Sequence, residues 1–421
     1  MHVLIRQARV TDPRSGFHNQ VVDILIEDGI IKDIAASLDA GNADIIDASG
    51  MLASPGWVDV LADYREPGYE HKETIAAGLD AAAAGGFTRV LIAPNTFPSL
   101  STKSAVQYVQ GKAAGHVVNL HPLGTVSQDA EGKVLSEMMD MYRHGAIAFS
   151  DGWKPVQNAG LMMKALEYVK AFNGTIIQIP VDAALSAGGL MHEGPVSTQL
   201  GMAGIPALAE TLLLHRDIEL VRYTGSRLHV SGISSAAAVE MIRKAKAEGL
   251  DVTCSVTPYH LALNDEALRS YSSLYKVMPP LRSEADRLAL VAGVNDGTID
   301  CITSHHRPQE WDAKAKEFEY AADGMNVQEQ AFSIAWTAVK NTISAEKLVA
   351  ALSLNARKIF GLPEAVLEAG GMAEITIFTP DGKALLRPED KHSLSANNPF
   401  LGKELDGKVA GIVNNKSYKI I

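Results

Sequence analysis

The residues best placed to do chemistry stand at the ends of short apolar runs: Asp63 and Arg65 in "VDVLADYREPG", Asn95 in "APNTFP", Asp151 in "FSDG", and His305 and His306 in "CITSHHRP". Carboxylate and imidazole groups can ligate zinc at about 2.0–2.2 Å, and a guanidinium can hold an anion. In Val58–Gly68 a strand would put Asp59, Leu61 and Asp63 on one face, because strand side chains alternate. The middle of that face is therefore a residue with no donor atom. Each of the other groups also has a structural reading. Arg65 has Asp63 and Glu66 as local ion-pair partners, and Asn95 sits in a Pro-Asn-Thr turn where its side chain can bond nearby backbone. His229 and His260 read as hydrogen-bonded core or rim histidines.

The elements that must position these residues follow from periodicity. Residues 1–54 carry short alternating runs, and "VVDILIEDGIIKDI" predicts two strands joined at Asp28-Gly29. From about residue 55 to 364, apolar strands alternate with helical segments: "FTRVLIAPN" follows "ETIAAGLDAAAAGG", "TIIQIPV" follows "LMMKALEYVKAFNG", and "SRLHVSGIS", "LDVTCSVTPY" and "IDCITSHH" continue the rhythm. Seven or eight such units predict a TIM-like (β/α)8 barrel, whose chemistry sits at the C-terminal strand ends, with an open doubly wound sheet as the alternative. Strand-like runs return in "MAEITIFTP" and "GKVAGIVNNKSYKII", so residues 365–421 are expected to join 1–54 in a composite β-sandwich.

Composition narrows the partners. The 421 residues are 47% hydrophobic and 21% charged, which allows a large core, and the net charge of -11 gives no attraction to nucleic acid or anionic membranes. Cys254 and Cys301 lie in apolar runs and read as core thiols. With neither a signal-peptide pattern at the N-terminus nor a run of about 18 apolar residues, the expected compartment is the cytoplasm.

Over nearly the whole chain, "PGWVDVLADYREPG", "EHKETIAAGLDAAAAGGFTRVLIAPNTFP", "GAIAFSDG", "VTPYHL", "YKVMPPLR" and "NNPFLGKELDGKV" resemble, in order, segments of the dihydroorotases of the amidohydrolase superfamily. The resemblance implies a metal-dependent barrel with a flanking β-sandwich, and reversible cyclisation of N-carbamoyl-aspartate to dihydroorotate in pyrimidine biosynthesis. Metal matters there because it can lower the pKa of bound water from about 15.7 to about 7, roughly 11 kcal/mol, whereas a general base contributes only about 10²–10⁴-fold.

The family's HxH pair falls on Leu61 and Asp63. Its next histidine falls on Ile179, with Val181 in place of a Glu, and the one after that on Gly232, with His229 expected to face the other way. Matching "SHHRPQ" to the family's TDHAPH puts His305 at the terminal Asp and Gln309 at the last His; Asp151 alone keeps a ligand type. Arg65 and Asn95 match residues that hold the substrate carboxylate, whereas Met278 replaces an Asn. The expectation is thus a metal-free, noncatalytic homologue that self-associates and, as some dihydroorotase-like chains do, partners aspartate transcarbamoylase. Two alternatives stay open: an active cyclic-amide hydrolase with a rebuilt zinc site of Asp63, Asp151 and His305, and a binding module in which Arg65 and Asn95 hold a carboxylated pyrimidine or aspartate derivative.

Overall fold

The computed structural model describes residues 1–421. Eight parallel strands follow one another around a barrel: Trp57–Ala62, Phe87–Ile92, Asn119–Gly124, Ala148–Phe149, Thr175–Gln178, Arg227–Ser231, Val252–Val256 and Cys301–Ile302. Closure comes from a parallel bridge between Ala62 and His306, with the Asp63 amide donating to the His306 carbonyl at 2.8 Å. Trp57–Ala62 and Phe87–Ile92 are buried at every position, as strands covered on both faces must be.

The outer helices begin at side-chain caps. Thr74, Asn158, Ser235 and Ser283 each accept a hydrogen bond from the backbone amide three residues on, which satisfies a free N–H of the first turn. Their apolar faces pack onto the strands in one cluster of 60 buried residues. An insertion after the fifth strand, with a two-stranded ribbon of Met191–His192 and Gly204–Ile205, was not expected from the sequence.

A second sheet draws on both chain ends. Leu52–Pro55 pairs antiparallel with Ile375–Leu385, joining the strands of the N-terminal region to Glu404–Asn414 and Ser417–Ile420. Val21–Glu27 and Ile30–Ala35 form the expected hairpin, with Asp28 and Gly29 both at positive φ (51° and 83°), as a type I′ turn requires.

At the N-terminal ends of the barrel strands, buried Glu374 ties this sheet to the barrel. Its carboxylate accepts from Arg89 at 2.9 Å, Arg357 at 2.5 Å and Thr88 at 2.7 Å. Burial alone would raise its pKa, but the two guanidinium groups override that and hold it at about 2. No helix is long and apolar enough to cross a membrane.

Candidate functional site

At the C-terminal strand ends the first and eighth strands meet. Asp59 joins them: its carboxylate accepts from Thr303 Oγ1 and the Ser304 amide, both at 2.9 Å, from Gln328 Nε2 at 2.7 Å, and from the Ser304 hydroxyl. Burial pushes the Asp59 pKa up, and these hydrogen bonds pull against that shift. Asp59 is fully employed in closing the barrel. Leu61, two residues on, packs in an apolar cluster with Leu91, Leu123, Ile177 and Ile179, so beneath the mouth the barrel interior is hydrocarbon where the first five strands line it.

A tryptophan fills the space above that cluster. Trp153 Nε1 donates to Asp63 Oδ2 at 2.7 Å, its ring meets His305 edge-on at 5.2 Å between centroids, and the Arg307 guanidinium lies over it at 4.6 Å. Trp153 thus contacts both Asp63 and His305. Asn95 fixes the Trp153 loop, accepting from the Trp153 amide at 3.0 Å and donating to the Asp151 carbonyl at 3.0 Å. The bonds expected within its own turn are instead made to a different loop.

Asp151 is bound by the loop after the third strand. Its Oδ1 accepts from the amides of Val126 and Ser127 at 2.9 Å each, and its Oδ2 from Ser127 Oγ at 2.5 Å. Burial raises its pKa against the pull of those bonds. Arg65 pairs with Asp63 at 3.2 Å, and Asp63 Oδ1 has no partner. Glu66, the other expected partner of Arg65, instead caps Ile75 at 2.8 Å and pairs with Lys112 at 3.0 Å.

The histidines form structural pairs. His305 Nε2 bonds Ser231 Oγ at 2.8 Å, Ser231 meets Ser255 at 3.2 Å, and Ser255 meets His229 Nε2 at 3.1 Å. His229, expected on the face opposite the mouth, is therefore connected to His305 by a hydroxyl chain. Burial lowers the pKa of both rings to about 3, so both are neutral at pH 7. His260 bonds Thr257 at 2.8 Å and is likewise lowered by burial, to about 4. His306 faces Glu73 at 3.3 Å. Cys254 and Cys301 are buried free thiols, as read from the sequence.

The profile of the family described as Dihydro-orotase-like matches residues 50–238. Proteins named dihydroorotase from Syntrophus aciditrophicus and Pelotomaculum thermopropionicum are 42% and 41% identical; the matches cover 97% of this chain and 97% and 96% of theirs. The chain belongs to the dihydroorotase-like family. In fold it is similar to an L-hydantoinase (dihydropyrimidinase) from Arthrobacter aurescens, with a TM-score of 0.87 at 23% identity, covering 100% of this chain and 98% of that one.

The metal implied by the family resemblance does not fit the residues present. Leu61 and Ile179 are buried hydrocarbon at two of the matched histidine positions. At the third, a Cβ on Gly232 would stand 2.3 Å from His305 Cε1, so the ring of His305 already occupies that space. No three His, Cys, Asp or Glu side chains converge as a metal-holding group, and the Asp63, Asp151 and His305 set is not brought together. Gln309 spans from Lys72 at 2.9 Å to the Asp323 carbonyl at 2.7 Å. Trp153 and Arg307 are the site residues that the sequence reading missed. The only signal for the tryptophan was one large ring in the turn "SDGWKP" at a strand end.

Proposed function

We propose that this chain is a noncatalytic member of the dihydroorotase-like family that serves pyrimidine biosynthesis in the cytoplasm as an assembly component, associating with itself and with aspartate transcarbamoylase. The observation that carries the loss of catalysis is Trp153, which contacts both Asp63 and His305 over a hydrocarbon floor containing Leu61 and Ile179. Hydrolysis of a cyclic amide needs an activated water, and the candidate bases are engaged or weak: Asp59 and Asp151 each accept several hydrogen bonds, Asp63 accepts from Trp153 and pairs with Arg65, and burial holds the His305 pKa at about 3, which makes its neutral ring a poor proton acceptor. The 42% identity with a protein named dihydroorotase supports the pathway, and the resemblance supports the partner.

The test is sedimentation of this chain mixed with aspartate transcarbamoylase at micromolar concentrations, alongside a dihydroorotate hydrolysis assay of the chain alone. A co-sedimenting complex without hydrolysis is expected. Separate boundaries would remove the assembly role, and metal-dependent hydrolysis would remove the noncatalytic reading.

A further inference from the structure

Trp311 is the most exposed large apolar side chain of the protein, at 79%, and Tyr320 stands 68% exposed on the same excursion, residues 310–323, which follows the eighth barrel strand. A neighbouring segment adds Tyr271, half exposed, with its hydroxyl donating to the Leu200 carbonyl at 3.0 Å. The two segments are joined, since Ser273 Oγ donates to the Lys314 carbonyl at 2.6 Å. The other tryptophans differ: Trp57 and Trp336 are buried, and Trp153 is engaged at the barrel mouth.

The backbone that carries these rings is tied down. Lys276 Nζ donates to the carbonyls of Phe318 and Glu319 at 2.9 and 2.8 Å, and Lys314 Nζ to that of Ala322 at 2.8 Å. The Ala322 amide closes the excursion onto the Ala313 carbonyl at 2.9 Å. Both lysines are buried, so two ammonium groups are taken from water to fix a segment that turns its largest rings outward. Tryptophan and tyrosine concentrate binding energy at protein interfaces, and a surface already ordered loses less freedom on association. Charge selects the complement. Asp312, Glu317 and Glu319 are exposed and stand outside every ion pair of the chain, against one free cation, Lys316. A two-fold contact between copies would set these carboxylates against their own images, which disfavours a second copy on this face.

We propose that this face, built on Trp311 and Tyr320 with Tyr271 beside them, docks a protein partner whose contacting surface is rich in arginine and lysine. A guanidinium stacks on an indole or phenol ring and pairs with a carboxylate, so one residue type answers both features of the face. The inference rests on the assembly role proposed above and adds to it the surface and the chemistry of its complement.

The full chain is sedimented with aspartate transcarbamoylase at low and at high sodium chloride, as the parent, as the double variant Trp311→Ala with Tyr320→Ala, and as the double variant Glu317→Lys with Glu319→Lys. Tyr223→Ala, at a 76% exposed ring on the helix Leu208–Thr224, is the control. Association at least about tenfold weaker is expected in both double variants and at high salt, with Tyr223→Ala unchanged. Every variant should keep the parent Tm, because the replaced side chains are exposed. Amide exchange of residues 311–322 should slow in the parent complex, and its failure to slow overturns the surface without recourse to any variant. A parent complex that either double variant forms equally well overturns the surface and leaves the assembly role standing, whereas absence of any parent complex removes both. Equal weakening in Tyr223→Ala overturns it too. Self-association of the chain alone that is lost in Trp311→Ala with Tyr320→Ala gives the face to a second copy and overturns the basic partner.

Discussion

Replacing Trp153 by phenylalanine keeps a ring beneath Arg307 and beside His305 but removes the N–H that reaches Asp63 Oδ2 at 2.7 Å. Asp63 is fully buried and its Oδ1 already lacks a partner, so the variant leaves its carboxylate with the Arg65 ion pair alone. A hydrogen bond to a charged group contributes about 1.5–3 kcal/mol, and the expected loss in Trp153→Phe is about 2 kcal/mol. With an unfolding entropy near 2.1 cal/mol/K per residue, a chain of this size should melt about 2 °C lower. Scanning calorimetry reads that shift, and a cycle with Asp63→Asn isolates the pair, with a coupling of about 1–2 kcal/mol expected. Neither variant should gain zinc, because Leu61 and Ile179 still floor the mouth. A coupling near zero would refute the role given to the indole. Zinc uptake with dihydroorotate hydrolysis in Trp153→Phe would show instead that the ring covers a working centre.

Other regions give sharper tests of individual packing arguments. The Glu374 pKa of about 2 lies below the ordinary 4.5, so its stabilisation is fully present above pH 4.5 and is lost as pH falls toward 2. That loss, about 3 kcal/mol, should appear in urea titrations at stepped pH and be absent from Glu374→Gln, itself about 3–5 kcal/mol less stable because two buried guanidinium groups lose their carboxylate. Gly232→Ala meets His305 at 2.3 Å and keeps a positive φ of 75°, whereas Gly50→Ala at the same φ meets nothing within 4 Å. Chemical denaturation should show about 1 kcal/mol lost at Gly50 and at least about 2 kcal/mol at Gly232. Asp151→Ala strands the amides of Val126 and Ser127 and should cost about 2–4 kcal/mol by the same measurement while leaving metal content unchanged.

Much of the architecture can be read from local pattern. Strand and helix alternation reports the barrel because each strand buried on both faces is a continuous apolar run. The Asp28-Gly29 turn announces its hairpin because few residue pairs accept two positive φ values. The fourth and eighth barrel strands, Ala148–Phe149 and Cys301–Ile302, span two residues each, too few for any period to show.

At the site, loss of ligand atoms is legible because leucine and isoleucine have none to offer. Engagement of the remaining polar residues is not legible, since their partners are remote in the chain. Asp63 meets Trp153 from 90 residues away, Asp151 turns to Ser127 across 24, and Asn397 reaches back 90 residues to clamp the Arg307 carbonyl. Residue type says what a side chain can do, and only the fold says which neighbour already uses it.

The most direct measurement is elemental analysis of the purified chain, prepared without chelators or metal-affinity resin, with dihydroorotate hydrolysis assayed on the same sample. The proposed function predicts well under one metal ion for every ten chains and no hydrolysis above the buffer rate, with or without added zinc. One or two metal ions per chain, together with turnover that chelation abolishes, would contradict it.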